Sequence, residues 1–210
     1  MARVVLRRLA IFGAPFCLAA LAAIHPIVSE AFVPDDKLWV WNLIHTLQIP
    51  LVALLGIAVL LLLDGLDSVE ATVARLAVLP WVAAFAAFDG LAGLATGGLS
   101  EYGHLHPGNS AIVMDIASTI MGSPVAAAGL PLMALLFALV AFGGGAIALQ
   151  RAGASGAGAL AFAAGGVVWT FIHPLVGAPA MLLLAFGAFL VERSSSDRVR
   201  TGALATGASR

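Results

Sequence analysis

Asp89 stands inside an apolar run that begins at Leu76 and ends at Leu99. A carboxylate at bilayer depth is costly, so it comes with a partner or a task. His45, Gln48, Asp115 and His173 lie in similarly apolar surroundings. Imidazole, amide and carboxyl groups at that depth can bind a small ligand, hold an ion or pass on a proton. Trp41, His45 and Gln48 follow at i, i+4 and i+7, which sets them on one helix face, with Asn42 beside them. Asp89, Gly93, Thr96 and Gly97 share a second face, and the Gly93–Gly97 spacing permits a close helix approach. An Asp buried at such an approach needs a cation or a donor beside it. His45 and His173 are the partners of the right type, since no Lys or Arg lies at that depth. The plainer alternative is interhelical hydrogen bonding alone, at about 0.6–2 kcal/mol per contact.

The histidines also raise a metal or haem site. His25 falls at the outer end of the first apolar run, His45 in the outer half of the second, and His104 and His106 in an outer loop. With Glu101 and Asp115 they offer imidazole and carboxylate ligands suited to zinc or copper. His25, His45 and His173 are candidate axial ligands for a haem. No local metal motif supports either reading, because HExxH and CxxC are absent. The recurrent His25-Pro26, His106-Pro107 and His173-Pro174 pairs are also what helix ends look like, since a residue before proline avoids the helical region.

Recognisable catalytic motifs are absent: there is no GxSxG, GxGxxG or P-loop. Gly143-Gly144-Gly145 has no following Lys and reads as a packing surface. The one lysine, Lys37, lies in a loop, so no Schiff base can form inside a span. A non-enzymatic role fits these absences. Cys17 is the single cysteine and reads as a small apolar residue in the first run.

The elements that must position these groups are transmembrane helices. Of 210 residues, 61% are hydrophobic and 10% charged, against about half and a quarter in soluble domains. Mean hydropathy is +1.06. Net charge is −1 with no basic patch, which argues against nucleic acid as a partner. Spans of roughly 20 apolar residues are expected at Leu9–Val28, Leu38–Leu63 and Leu76–Leu99. The first is long for a signal-peptide core and reads as an uncleaved span. Trp39 and Trp41 mark an interface, and Pro50 should kink the second span. Ser68 with Glu70 suggests a helix start.

The segment from Ala111 to Gln150 is ambiguous. It reads either as a short amphipathic helix over 111–122 and one span over 125–149, or as two spans with a tight turn near Pro124. The last span is placed at Ala159–Val191, interrupted by His173-Pro174 and Pro179. Arg3, Arg7 and Arg8 put the N-terminus in the cytoplasm under the positive-inside rule. The arginines of the tail put it on the same side, which requires an even number of spans. The hydropathy of 111–150 favours five, the tail charge six.

The expected protein is therefore an all-α polytopic transmembrane helix bundle of five or six spans, several kinked by proline, in the cell membrane. Residues 1–192 form the membrane domain and 193–210 a polar, disordered tail. It binds or transports a small ligand, ion or proton; the alternatives are a haem- or metal-binding redox protein and a non-catalytic membrane subunit or scaffold. The lipid bilayer is its certain partner, and the Gly-rich faces are also suited to a helix-mediated homo-oligomer.

Overall fold

The computed structural model describes residues 2–28 and 32–207, with side chains at 5–28, 32–171 and 175–194. Among these residues every regular element is helical. α1 is Ala2–Ala23, α2 Asp35–Leu62, α3 Val69–Asp89, α4 Thr96–Leu105, α5 Ser110–Gly122, α6 Leu130–Ala138, α7 Gly145–Arg151 and α8 Gly156–Gly207. Three stretches are wound as wider π-turns: Gly90–Ala95, Val125–Gly129 and Leu139–Gly144. The first joins α3 to α4, so Val69–Leu105 forms one long rod. Among the described residues five helices are long and apolar enough to cross a membrane: Val5–Ala23, Asp35–Leu62, Val69–Leu105, Val125–Arg151 and Leu175–Ser194.

Local chemistry sets the helix ends. The Ser68 hydroxyl accepts the amide of Ala71, the N-cap that the sequence suggested. α1 stops two residues before His25-Pro26, and His106 before Pro107 terminates α4, as expected of His-Pro pairs.

The segment 111–150 follows the first of its two readings. α5 starts beside α4, where Ser110 donates to the carbonyl of Gly103. The chain breaks at Ser123-Pro124 and then runs on to Gly144 beside Ala74 and to Arg151, which is ion-paired with Glu70. It therefore crosses once, antiparallel to the α3–α4 rod.

The last apolar stretch is not the single span expected at Ala159–Val191. A straight helix would separate Gly158 from Leu190 by about 48 Å. A Cβ on Gly158 would instead lie 2.8 Å from Leu190 Cβ, and one on Gly165 2.6 Å from the carbonyl oxygen of Ala180. The amide of Ser155 also donates to Ser194 Oγ at 3.3 Å. α8 is thus a hairpin of two antiparallel arms, 156–171 and 175–194. Gly158, Gly165 and Gly187 let its backbones touch. The first arm spans about 24 Å, short of the roughly 30 Å hydrocarbon core.

Ion pairs and hydrogen bonds sort the ends of the bundle. Arg7 pairs with Glu192 at 2.9 Å and donates to the carbonyl of Leu61. Arg75 donates to the carbonyls of Leu63 and Leu66. One end therefore gathers Arg7, Arg8, Arg75, Arg151 and Arg193. The other carries Asp35, Asp36 and Glu101 with Lys37 as its one described lysine or arginine. Among the described residues five helices are long enough to join these ends; the hairpin's first arm is a shorter sixth segment, whose far end lies beside Trp81 and Phe85. Between the passes, Trp81 meets Phe142 edge-on at 4.9 Å and Phe85 stacks on Trp169 at 4.7 Å. Trp81 Nε1 donates to Thr170 Oγ1 at 3.2 Å, which spares the buried indole an unmet donor.

Candidate functional site

The two polar faces read from the sequence meet each other. His45 Nδ1 and Asp89 Oδ1 are 2.7 Å apart, with His45 4% and Asp89 1% exposed. The pair joins α2 to the end of α3. Gly93 makes this approach achievable, because the His45 ring occupies the space a side chain at 93 would need. Gly97 does the same for Asn42 and Trp41, a helical turn further along the rod. Asp89, Gly93, Thr96 and Gly97 are all buried, as one face should be.

The π-turn begins directly after Asp89. Such turns carry an extra residue, break the regular ladder of hydrogen bonds and recur at functional sites. Here Trp41 Nε1 donates to the carbonyl of Gly93 at 2.8 Å. The indole thereby ties α2 to the π-turn one helical turn from the His–Asp pair.

His25 completes the group from outside the spans. Its ring meets His45 edge to face at 5.2 Å and Trp41 at 5.4 Å, while Trp41 and His45 lie 4.5 Å apart. His25 Nδ1 is 2.9 Å from the carbonyl oxygen of Pro26. Burial, followed by the neighbouring His45, holds its imidazole below the ordinary value of 6.5. His25, His45 and Asp89 therefore form a line of proton-carrying groups. It runs from the acidic end of the bundle into its buried interior.

Three polar atoms in this interior are unsatisfied. His45 Nε2, Gln48 Nε2 and Asp89 Oδ2 are buried with no hydrogen-bond partner among the described residues. Native interiors leave few such atoms, and each calls for a reason.

The remaining sequence candidates lie elsewhere. Asp115 is exposed on α5, where only Val113 and Ala117 are buried. The side chain of His173 lies outside the described residues. His104 Nε2 donates to the carbonyl of Val33 at 2.8 Å, and the amide of Val33 donates to Ser100 Oγ, so this histidine pins the loop before α2 to α4. His106 is exposed and stacked on Tyr102.

The haem and metal candidates His25 and His45 lie together, while the side chain of His173 falls outside the described residues. The His25 and His45 rings touch, with no gap between them for a macrocycle. Among the described residues no three His, Cys, Asp or Glu side chains gather as a metal cage. The sequence placed Trp41 and Gly93 on these faces without naming them as ligand-binding or proton-handling residues, and it gave no sign of the π-turn. The faces were legible, but the turn that displaces one of them was not.

Comparison with known proteins gives no match, whether to a protein family, a characterised protein or a solved structure.

Proposed function

We propose that this multi-pass membrane protein takes up and moves protons, alone or with a small solute, through the His45–Asp89 pair. The observation that carries the reading is the pair itself: buried, 2.7 Å across, and with Asp89 Oδ2 and His45 Nε2 unpartnered. An imidazole can accept a proton at one ring nitrogen and release another from the opposite one. A proton arriving from His25 is received at His45 Nε2, while the proton on Nδ1 passes to Asp89 Oδ1. Tautomer exchange then resets the ring. Gln48, one turn further along α2, supplies an amide to the deeper side of the path.

The distribution of charge supports an orientation for this path. The end with Arg7, Arg8, Arg75, Arg151 and Arg193 belongs in the cytoplasm by the positive-inside rule. His45 lies about 15 Å along α2 from its acidic end and about 25 Å from its basic end. The pair thus sits in the outer half, with His25 toward the outside. A role in helix packing alone is the competing reading, supported by the tight seat of His45 against Gly93. It leaves the three unpartnered atoms without a purpose.

The test is proton flux into liposomes carrying the purified protein and a trapped pH dye, driven by a potassium diffusion potential. Wild type should acidify the lumen, and Asp89→Asn should reduce the rate at least about tenfold (some 1.4 kcal/mol in a barrier) while keeping the helical content. Equal flux in the two proteins, or none above empty liposomes in wild type, would overturn the proposal.

A further inference from the structure

A second candidate site lies at the opposite end of the molecule, between α1 and the second arm of α8. A cavity of about 410 Å³ opens there, lined by Arg8, Phe12, Phe189, Glu192 and Arg193. It continues into a groove of about 510 Å³ through the shared Phe12 and Phe189, then along Phe16, Leu182, Ala185 and Phe186. From Arg8 to Phe16 this groove runs about 12 Å down α1. Its mouth is basic and its depth is purely apolar.

The charges at the mouth are divided unequally. Glu192 is engaged by Arg7 at 2.9 Å. Arg8 and Arg193 make no ion pair among the described residues, and both are exposed. Two such guanidiniums above an aromatic slot, within a turn or two of the ends of two spanning helices, complement one kind of molecule. A guanidinium grips phosphate through paired N–H donors, and basic side chains at the membrane surface attract anionic lipids. We infer that this groove binds an anionic phospholipid, its phosphate between Arg8 and Arg193 and an acyl chain along Phe12, Phe16, Phe186 and Phe189. The lipid is drawn from the leaflet at the basic end, and the inference does not depend on the proton path.

Native mass spectrometry of protein released from mixed phosphatidylglycerol–phosphatidylcholine nanodiscs reads this directly. Wild type should retain phosphatidylglycerol over phosphatidylcholine by roughly 30-fold, the factor two surface arginines supply. Arg8→Gln/Arg193→Gln should bring the ratio close to one. Arg151→Gln, at the same end but outside the groove, should leave it unchanged. Phe12→Ala/Phe189→Ala should weaken retention with both arginines intact. No preference in wild type, or an equal loss in Arg151→Gln, would replace a site by a general surface field and overturn the inference. Displacement of the lipid by glycerol 3-phosphate would also overturn it, by showing a phosphate site without a lipid groove. If the double arginine variant does not fold, loss of the wild-type preference in high salt takes its place, and a salt-insensitive preference counts against the inference.

Discussion

Replacing Gly93 by alanine is the sharpest perturbation of the buried pair. The new Cβ would lie 2.8 Å from His45 Cβ and closer still to ring atoms Cγ and Nδ1. Carbon contacts relax near 3.5–4.0 Å, so the ring must retreat by about 1 Å or more. Nδ1 is the atom that meets Asp89 Oδ1 at 2.7 Å. A retreat of that size stretches the contact to about 3.7 Å, past hydrogen-bond range. Losing a hydrogen bond to an ionisable group costs about 1.5–3 kcal/mol, and overpacking costs about 1–3 kcal/mol. Alanine returns up to about 1 kcal/mol of helix propensity. The expected net loss is therefore about 2–5 kcal/mol. Gly90→Ala and Gly98→Ala are the matched controls in the same rod, since a Cβ at either meets nothing within 4 Å. Unfolding in detergent followed by tryptophan fluorescence gives the stabilities, and nitrogen NMR of labelled histidine reports the His45 ring. Gly93→Ala with control-like stability and an unshifted His45 signal would refute the close approach on which the site rests.

Two further outcomes follow. Burial and His45 hold the His25 imidazole below 6.5, so the unfolded chain binds more protons than the folded one as the pH falls through and below that value. Stability should therefore rise with pH up to about 6.5 and drop on acidification; His25→Phe keeps a ring in place and should flatten this slope in unfolding measured from pH 7 to pH 5, and an unchanged slope would count against His25 as its source. In the hairpin, a Cβ on Gly187 would lie 2.8 Å from the carbonyl oxygen of Gly158 and from Phe162 Cα, backbone that cannot swing aside; Gly187→Val should cost about 1–3 kcal/mol or more. A side-specific reporter fused after Ser194 should then report the same side of the membrane as one fused before α1, and opposite sides would exclude the hairpin.

Much of the site was legible because helical periodicity is strict. Spacing alone grouped Trp41, His45 and Gln48, and grouped Asp89 with Gly93 and Gly97. The scarcity of cations at that depth then left His45 as one of two partners for Asp89, and it is the partner found. Periodicity gives a face but not what the face meets, so Asp115 entered the same set although it is exposed on α5. The hairpin escaped for a different reason. Hydropathy is read over about 19 residues, and the first arm of α8 is shorter than that. The reversal between Phe171 and Leu175 has no polar loop, only His173-Pro174, which looks the same as a kink. The π-turn left no mark at all, since one added residue within an apolar run changes neither composition nor length enough to show.

The π-turn nonetheless decides how the pair is built. The carbonyl of Gly93 accepts the backbone amide of Thr96 at the end of the turn and also the indole of Trp41. The indole then stands against both His45 and His25. Trp41 is thereby held at two points, and it walls one side of the His45 ring while Gly93 leaves no slack on another. A ring confined in this way still keeps Nε2 unpartnered. Packing would be served as well by a ring with both nitrogens satisfied. A confined ring with one nitrogen on a carboxylate and the other available is the arrangement on which the proposed proton transfer rests, and it is built from a glycine, an indole and one irregular turn.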